Sequence, residues 1–400
     1  MEVTGIKAKR IKNSRNQWTI RVEVHSHKFI GVGKAPSGAS TGEHEVTAFP
    51  KGVDYSVKLV NTKVSKLLTG IRFNKFEDLK KIENKLKKIK NLGANAVIAL
   101  EFALLNCLAK EKNKPLWKVL NSRARKMPMP LANVVGGGAH TKKKHVLDIQ
   151  EILLLPQVRK FEWAVKINTE IYKELKKKLK KVDKKFKSEV TDEHAWVTYL
   201  SEPYAFESVR EVVDAYQKKH KIKVKIGVDF AASTLWREKR YVWTHLDSAI
   251  FAFGPKGEID LVQSLAENYN FYYLEDPLLE EDFRGFRELK DKLPNRLICG
   301  DDLTVTNPER IKKAVRMGAI NAIIIKPNQI GSLIKTKQAV DISKKAGLTV
   351  VVSHRSGETN DATIAHLAFA WGADIVKFGV AGEERLAKLN ELIKIEKSLR

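Results

Sequence analysis

Six short apolar runs in the second half of the chain each end on a charged or titratable residue. The runs are typical of buried strands, and they end on Asp229, Glu275, Asp301, Lys326, His354 and Lys377. After the first interval, which is longer, the ends follow one another at about 25 residues, the length of one strand, one helix and two loops. Parallel strands connected in this way close into a barrel with its chemistry at the strands' carboxyl ends. The pattern therefore predicts an α/β fold, a βα (TIM-like) barrel, with these side chains around one site.

The residue types at these ends favour one kind of chemistry. Asp229, Glu275 and Asp301 would repel one another in a buried pocket unless protons or a cation neutralised them. Oxygen ligands favour Mg²⁺, and the sequence has no cysteine and histidine spacing typical of zinc. Lys326, beside metal ions and Lys377, is expected to have a lowered pKa and to remove a proton from a weak carbon acid. The set favours proton abstraction next to a carboxylate, although each residue alone could equally cap a helix or form a salt bridge.

Length and composition favour more than one domain. The chain has 400 residues, of which 43% are hydrophobic, so two or three domains are expected. The prolines of Met127–Pro130 suggest a seam, which predicts domains at residues 1–127 and 128–400. The first contains a strand at Trp18–Val24 and helices at Phe76–Ile89 and Ala94–Lys110.

The sequence also bears on the compartment. The two cysteines, Cys107 and Cys299, are too few for a disulfide framework, which predicts a reducing cytoplasm. We expect neither a signal peptide nor a membrane span, because the N-terminus has no apolar region and no apolar run approaches the length of about 20 residues that a membrane helix needs.

The formal net charge of +26 leaves two interpretations open. Such a surface can bind nucleic acid or another polyanion, or it can be a solvated lysine-rich surface. In the densest basic run the apolar residues are spaced by three or four, which predicts an amphipathic helix with lysines facing solvent; they are Ile171, Leu175, Leu179, Val182 and Phe186. This favours the solvated surface without excluding polyanion binding.

Two glycine-rich loops precede or begin the predicted barrel. Ser37–Gly42 combines glycines with hydroxyl groups, and Gly136–His140 ends on a histidine. Mobile loops of this kind can exclude water from a site that forms an unstable anion. Each would otherwise be an ordinary surface turn.

In seven segments the chain strongly resembles the enolases. The matching segments are PSGASTGEHE, GVDFAAS, LEDP, GDDLTVTNP, IIKPNQIGS, VSHRSGETND and ERLAKLNELIKIE. The resemblance implies a modified βα barrel with a smaller N-terminal α+β domain. It also implies reversible dehydration of 2-phosphoglycerate to phosphoenolpyruvate in glycolysis and gluconeogenesis, with two Mg²⁺ ions in a cytoplasmic homo-oligomer, a dimer or larger.

The resemblance also implies roles for individual residues. Asp229, Glu275 and Asp301 would hold one Mg²⁺, and Ser40 the second. Lys326 would be the base that takes the C2 proton, and Glu193 the acid that helps the C3 hydroxyl leave. The substrate would be bound by His140, Glu151, His354, Arg355, Ser356 and Lys377.

Some segments depart from the family pattern. The usual DEGG reads Asp192-Glu193-His194-Ala195 here, so that two glycines are lost, and the loop after Gly137 carries the basic cluster 142–145. These changes affect loop closure and substrate affinity more than reaction type. Two alternatives stay open: another reaction of the wider enolase superfamily, such as acid-sugar dehydration, and a basic non-enzymatic paralogue that binds a polyanion.

Overall fold

A computed structural model describes residues 1–38, 42–143, 146–247 and 249–399. The N-terminal part combines an antiparallel sheet with helices. Its strands are β1 (Gly5–Lys12), β2 (Trp18–His25) and β3 (Ile30–Lys34). Its helices are α1 (Val53–Leu59), continued by a π-helical stretch (Val60–Val64) into α2 (Ser65–Leu68), then a 3₁₀ turn (Phe76–Asp78), α3 (Leu79–Leu86), α4 (Ala94–Glu111) and α5 (Leu116–Leu120). The predicted strand and both predicted helices are confirmed.

Helix α4 is buried along almost its whole length because it packs against the small sheet. The β3 glycines Gly31 and Gly33 face its backbone so closely that a Cβ on either would overlap it. Strand β3 needs glycine at these positions because the helix approaches it directly. This contact gives the small sheet one covered face.

The C-terminal part is a closed barrel. The chain continues through β4 (Met129–Gly136), a 3₁₀ turn (Gly138–His140), β5 (Glu151–Pro156), α6 (Phe161–Val182), α7 (Glu202–His220), β6 (Val224–Asp229), a 3₁₀ turn (Ala232–Leu235), β7 (Trp236–Arg237), β8 (Arg240–Trp243), β9 (Phe251–Phe253) and α8 (Pro255–Asn268). It ends with β10 (Phe271–Glu275), α9 (Phe283–Lys292), β11 (Leu297–Gly300), α10 (Pro308–Met317), β12 (Ala322–Ile325), α11 (Pro327–Ile330), α12 (Leu333–Lys345), β13 (Thr349–Ser353), α13 (Thr363–Ala370), β14 (Ile375–Lys377) and α14 (Glu383–Ser398).

One strand of the barrel runs against the others. The ring order is β4, β5, β6, β10, β11, β12, β13, β14, and the pairings β4–β5 and β5–β6 are antiparallel whereas the rest are parallel. A hairpin therefore replaces the first βα unit, and α6 and α7 both follow the inverted strand. The barrel is of the modified kind.

The barrel interior is filled by apolar side chains, and the polar residues lie at one end. One core cluster inside it comprises Leu131, Leu153, Leu155, Tyr273, Cys299, Ala322, Ile324, Val351 and Ile375. Packed layers of this kind leave no pore, so chemistry is confined to the mouth. None of the helices in the part of the chain that the structure describes is long and apolar enough to cross a membrane.

Three local features differ from, or add to, the sequence-based expectations. Pro130 does not break a strand: it is the second residue of β4 and pairs with Val376. The amphipathic helix ends at Val182, and this residue is exposed. The helix ends there because Asp183 leaves the helical conformation and its carboxylate accepts a hydrogen bond from Lys185 N. The antiparallel sheet β7–β8–β9 accounts for the long first interval between strand ends.

Candidate active site

The six strand-end residues converge on the barrel mouth. Asp229, Glu275 and Lys377 are the last residues of their strands, and Asp301, Lys326 and His354 directly follow theirs. Asp229 pairs with Glu275, which confirms the alignment of these two strand ends. Of the six, all except Lys326 are buried.

Lys377 occupies the centre of an acidic cluster. Its Nζ lies 2.7 Å from Glu151 Oε2, 3.1 Å from Asp229 Oδ2 and 2.8 Å from Glu275 Oε1. Burial by itself would lower the pKa of this lysine, but the charges of Asp229, Glu151 and Glu275 raise it well above its usual value. Lys377 is therefore a fixed positive charge that holds three strands together at the mouth.

The second lysine is paired with the third carboxylate. Lys326 Nζ forms an ion pair with Asp301 Oδ2, while Gln329 Nε2 donates to Asp301 Oδ1 at 2.9 Å. Burial would lower the pKa of Lys326, yet Asp301 raises it above its usual value. In the absence of bound metal ions, the neighbouring carboxylate outweighs both burial and the second lysine; the lowered pKa expected beside metal ions stays a prediction.

The acid cluster carries more negative charge than the two lysines balance. Burial, followed by the charge of Asp229, raises the pKa of Glu275 to about 8. Burial also raises the pKa of Glu151 well above its usual value, although Lys377 opposes the shift. These carboxyl groups would bind a proton or a cation at neutral pH.

The inverted strand explains how Glu151 reaches the site. Because β5 is antiparallel, its first residue lies at the mouth, where Glu151 pairs with Asp229 of β6. The preceding Gln150 donates through Nε2 to Asp229 Oδ2 at 3.1 Å. A search for residues at strand carboxyl ends misses both residues.

His140 and Glu193 come from loops beside Glu151. His140 Nδ1 lies 3.6 Å from Glu151 Oε1 and 3.6 Å from Glu193 Oε1. Burial lowers the pKa of His140 to about 4, although the charges of Glu193 and Asp229 oppose the shift. His140 Nδ1 thus lies between the two acids.

Glu193 is paired with His354 across the pocket. His354 Nε2 lies 3.0 Å from Glu193 Oε2, and Asn133 Nδ2 approaches the same oxygen at 3.4 Å. Burial pushes the pKa of Glu193 upward, but the neighbouring histidines His354 and His140 lower it well below its usual value. The pKa values of the two acids are therefore shifted in opposite directions, down for Glu193 and up for Glu151.

Arg355 and Ser356 line the same wall after β13. Both Nη atoms of Arg355 donate to the carboxylate of Glu45 at 3.0 Å, and Nη1 lies 3.2 Å from Asn328 Oδ1. Burial would lower the pKa of Arg355, and the Glu45 carboxylate raises it. Glu45 follows the glycine-rich loop Ser37–Gly42 of the small domain and was not predicted as a site residue. Its bidentate pairing fixes the guanidinium plane.

Three residues singled out in the sequence lie outside the described residues. They are Ser40, expected to bind the second metal ion, and Lys144 and His145 of the basic cluster. Gly38, two positions before Ser40, lines the pocket.

These side chains line one small polar cavity of about 20 Å³. Within the described ranges, five buried atoms on its lining residues have no hydrogen-bond partner. Of these, His140 Nδ1 and Glu151 Oε2 lie within ion-pair distance of charged groups, and the other three are Gln150 Oε1, His354 Nδ1 and Ser356 Oγ. Buried polar atoms without partners indicate a site for a polar ligand or water. The lining comprises Gly38, His140, Gln150, Glu151, Glu193, Asp229, Lys326, Ser353, His354, Arg355, Ser356 and Lys377.

The loops at the mouth contain strained backbone. After β11, Val305 and Thr306 have φ values of 42° and 55°, in the left-handed region that β-branched residues avoid. Thr306 Oγ1 accepts from Lys326 N at 2.8 Å and donates to Gln329 Oε1 at 2.7 Å. The strain is held by these bonds and orients the residues around Asp301.

His194, which stands beside Glu193 where the family pattern has glycine, is also accommodated. His194 has φ 63°, so this position takes the left-handed conformation for which glycine is suited. Tyr172 OH donates to His194 O at 2.6 Å, and His194 Nε2 lies 3.3 Å from Glu384 Oε1. These contacts stabilise a conformation that a histidine otherwise disfavours.

The donor set fits hard divalent cations. Among the described residues, two groups bring three ligand atoms within 4.8 Å of one another, and they are His140 with Glu151 and Glu193, and Asp276 with Asp301 and Asp302. The predicted set of Asp229, Glu275 and Asp301 shares only Asp301 with them, and Lys377 Nζ contacts both Asp229 and Glu275. The raised pKa of Glu275 nevertheless shows uncompensated buried negative charge that Mg²⁺ would neutralise.

Comparison with known proteins assigns the family. Residues 3–120 match the family model described as "Enolase, N-terminal domain", and residues 124–400 match "Enolase, C-terminal TIM barrel domain". The chain belongs to the enolase family. Its relatives include the enolase of Pyrobaculum aerophilum, 38% identical over 408 residues that cover 99% of this chain and 96% of the relative. The enolase of Methanothermobacter thermautotrophicus is 39% identical over 406 residues, covering 99% and 97%.

Membership in the enolase family confirms the resemblance and the fold class. It also accounts for the combination of a small α+β domain with a barrel whose second strand is inverted. A domain boundary after residue 127 stays a prediction, since the two family models leave residues 121–123 between them.

Proposed function

We propose that this chain is a lyase that catalyses the reversible dehydration of 2-phosphoglycerate to phosphoenolpyruvate. The proposal rests on membership in the enolase family and on the side chains at the barrel mouth. We place the protein in the cytoplasm as a homo-oligomer, as the resemblance implies. Both cysteines are free and buried, in keeping with a reducing compartment.

One observation supports the reaction most strongly: a base and an acid pair line opposite walls of one pocket. Lys326 follows β12 and Glu151 begins β5, four strands apart in a ring of eight. A substrate held between them presents C2 to the lysine and the C3 hydroxyl to the acids. Proton removal and hydroxide departure on opposite faces need this placement.

The base is Lys326. The charge of Asp301 raises the pKa of this amine and so keeps it protonated. Turnover therefore requires that the ion pair between Lys326 and Asp301 be weakened. Lys377 cannot replace it, because three carboxylates surround its Nζ. Lys326 is therefore the lysine whose amine can reach the substrate and take the C2 proton.

The acid is the pair formed by Glu193 and Glu151. Glu193 is placed beside the leaving hydroxyl by its contact with His354, and Glu151 carries the proton because burial raises its pKa. His140 contacts both acids through the same atom, Nδ1, which lies 3.6 Å from an oxygen of each, so it orients the two acids. Oxygens of Glu151 and Glu193 lie within 4.8 Å of each other, and the proton held by Glu151 is proposed to pass to Glu193, which gives it to the departing hydroxyl.

Asp229, Glu275 and Asp301 would hold one Mg²⁺, and Ser40 is proposed for a second. When bound, the ions would stabilise the extra negative charge of the enolate next to the substrate carboxylate and draw Asp301 away from Lys326. The guanidinium of Arg355 and the unpartnered Ser356 Oγ are proposed to bind the phosphate, which favours bidentate donors.

The test is an ultraviolet assay of phosphoenolpyruvate formation from 2-phosphoglycerate by the purified chain. We expect turnover with Mg²⁺ and its loss when a chelator is added. An acid-sugar substrate that is dehydrated in place of 2-phosphoglycerate would contradict the proposal.

A further inference from the structure

The turn between β1 and β2 belongs to the small domain but reaches the rim of the barrel site. Asn13 Oδ1 closes this turn by accepting from Arg15 N at 2.9 Å and from Gln17 N at 3.0 Å. A side chain that bonds the backbone two residues on is a common way to fix a tight turn. Ser14 and Arg15 are therefore presented at its tip in a defined geometry.

Ser14 binds the turn to the segment that follows Arg355 through hydrogen bonds. Ser14 N donates to Glu358 O at 2.8 Å. Its hydroxyl donates to Ser356 O at 3.2 Å and accepts from Glu358 N at 3.0 Å. Three bonds between the two domains fix the position of Arg15 relative to the phosphate-binding wall.

Arg15 then reaches the other loop of the site. Its Nε lies 3.3 Å from Asp192 Oδ2, and the two side chains are 20% and 14% exposed. Asp192 Oδ1 lies 3.6 Å from His140 Nδ1, and Asp192 N donates to His140 O at 3.0 Å. One carboxylate thus separates Arg15 from the histidine that contacts both proposed acids.

The acidic groups around His140 explain why a cation is needed beside Asp192. Asp192, Glu193 and Glu151 all approach His140, and carboxyl groups crowded around one ring cannot all carry a charge without repulsion. Burial and then Glu193 raise the pKa of Asp192 to about 7, while Arg15 and Arg385 oppose that shift. Arg15 is the cation in direct contact with Asp192.

We propose that Arg15 is a positioning residue for the acid side of the site. It fixes Asp192, and thereby holds the turn that carries Glu193 against His140 and His354. The inference rests on the proposed function. It means that the small domain helps to position Glu193, although Glu193 itself belongs to the barrel domain. Lys326, on the opposite wall, lies outside the influence of this contact.

The test compares two partial reactions of Arg15→Gln. Dehydration is followed by phosphoenolpyruvate formation, and exchange of the C2 proton with solvent is followed by NMR in deuterated buffer. We expect kcat for dehydration to fall by about 10- to 100-fold, because a small misplacement of a catalytic group costs that much. C2 exchange and KM should stay near the values of the unmodified protein, and Arg15→Lys should recover part of the lost kcat.

A double-mutant comparison tests whether Arg15 acts through Asp192. If it does, Arg15→Gln combined with Asp192→Asn loses no more activity than the worse single variant, because coupled residues are not additive. Losses that multiply would overturn the inference. Arg10→Gln is the matched control, since Arg10 lies on β1, just before the turn, and pairs with exposed Asp54.

The outcomes separate this inference from the proposed function. An unmodified protein that forms no phosphoenolpyruvate contradicts both. An active protein whose Arg15→Gln variant keeps its kcat overturns the inference alone, and so does a folded variant that loses exchange and dehydration equally. If Arg15→Gln does not fold, Asp192→Asn is judged by the same criterion.

Discussion

His354 Nε2 and Glu193 Oε2 lie 3.0 Å apart in a buried pair that links the barrel to the loop after α6. The two residues are far apart in the sequence, and Glu193 belongs to no strand. The contact lowers the pKa of Glu193, although burial alone would raise it. The pair therefore fixes both the position and the charge of the residue proposed to face the leaving hydroxyl.

Glu193→Gln separates dehydration from proton abstraction. The amide keeps the shape of the side chain but cannot carry a proton to the leaving hydroxyl, so dehydration should fall by roughly 10²- to 10⁴-fold. Exchange of the C2 proton should persist, because Lys326 is intact. The measurement is phosphoenolpyruvate formation beside deuterium exchange in the same preparation. Glu151→Gln should behave similarly, and if exchange is lost with dehydration in both variants, the separate acid role is wrong.

Asp301→Asn should weaken Mg²⁺ activation. The substitution removes one charged oxygen ligand and the counter-charge of Lys326, so more Mg²⁺ is needed to reach half of the maximal rate, by about tenfold or more. Titration of activity with Mg²⁺ measures this shift. Asp291→Asn, on the exposed end of α9, is the control. An unchanged Mg²⁺ requirement in Asp301→Asn would exclude this residue as a ligand.

The stability of the fold should depend on the ionisation of Glu258. Burial raises the pKa of this carboxyl from 4.5 to about 8, although its bond from Trp243 Nε1 at 3.0 Å opposes the shift. A raised carboxyl pKa means that the native state binds the proton more tightly than the unfolded state. Its contribution to stability is complete below pH 4.5 and is lost as the pH rises towards 8.

Glu258→Gln removes this dependence. The variant should gain free energy of unfolding relative to the unmodified protein between about pH 5 and pH 8, by about 1.4 kcal/mol for each pH unit at most. Denaturant unfolding at several pH values measures the gain. Glu267→Gln, on the exposed face of the same helix α8, should show none. A constant difference across this range would mean that Glu258 is ionised in the native protein.

Much of the site could be predicted from the sequence because parallel strands bring their carboxyl ends to one edge. Asp229, Glu275, Asp301 and Lys326 follow from that rule alone. Glu151 does not, because only the inverted direction of β5 brings its first residue to the mouth. Glu45 and Arg15 do not either, since their contacts cross between domains and leave no periodic pattern in the sequence.

The charge state of Lys326 depends on its partners. A lowered pKa is expected beside bound metal ions and Lys377, whereas the ion pair with Asp301 by itself raises the pKa, so the lowered value with metal bound stays a prediction. Strand-end patterns fix which residues meet, whereas the strongest pair among them depends on distances that only the folded structure supplies.

The most direct test of the account is exchange of the C2 proton of 2-phosphoglycerate by Lys326→Ala, measured by NMR in deuterated buffer with Mg²⁺. Lys326 is proposed as the only base for this step, so the variant should lose both exchange and phosphoenolpyruvate formation by at least about 10²-fold. Mg²⁺ should still raise its thermal unfolding midpoint, because no proposed ligand is removed. Exchange at the rate of the unmodified protein would contradict the account.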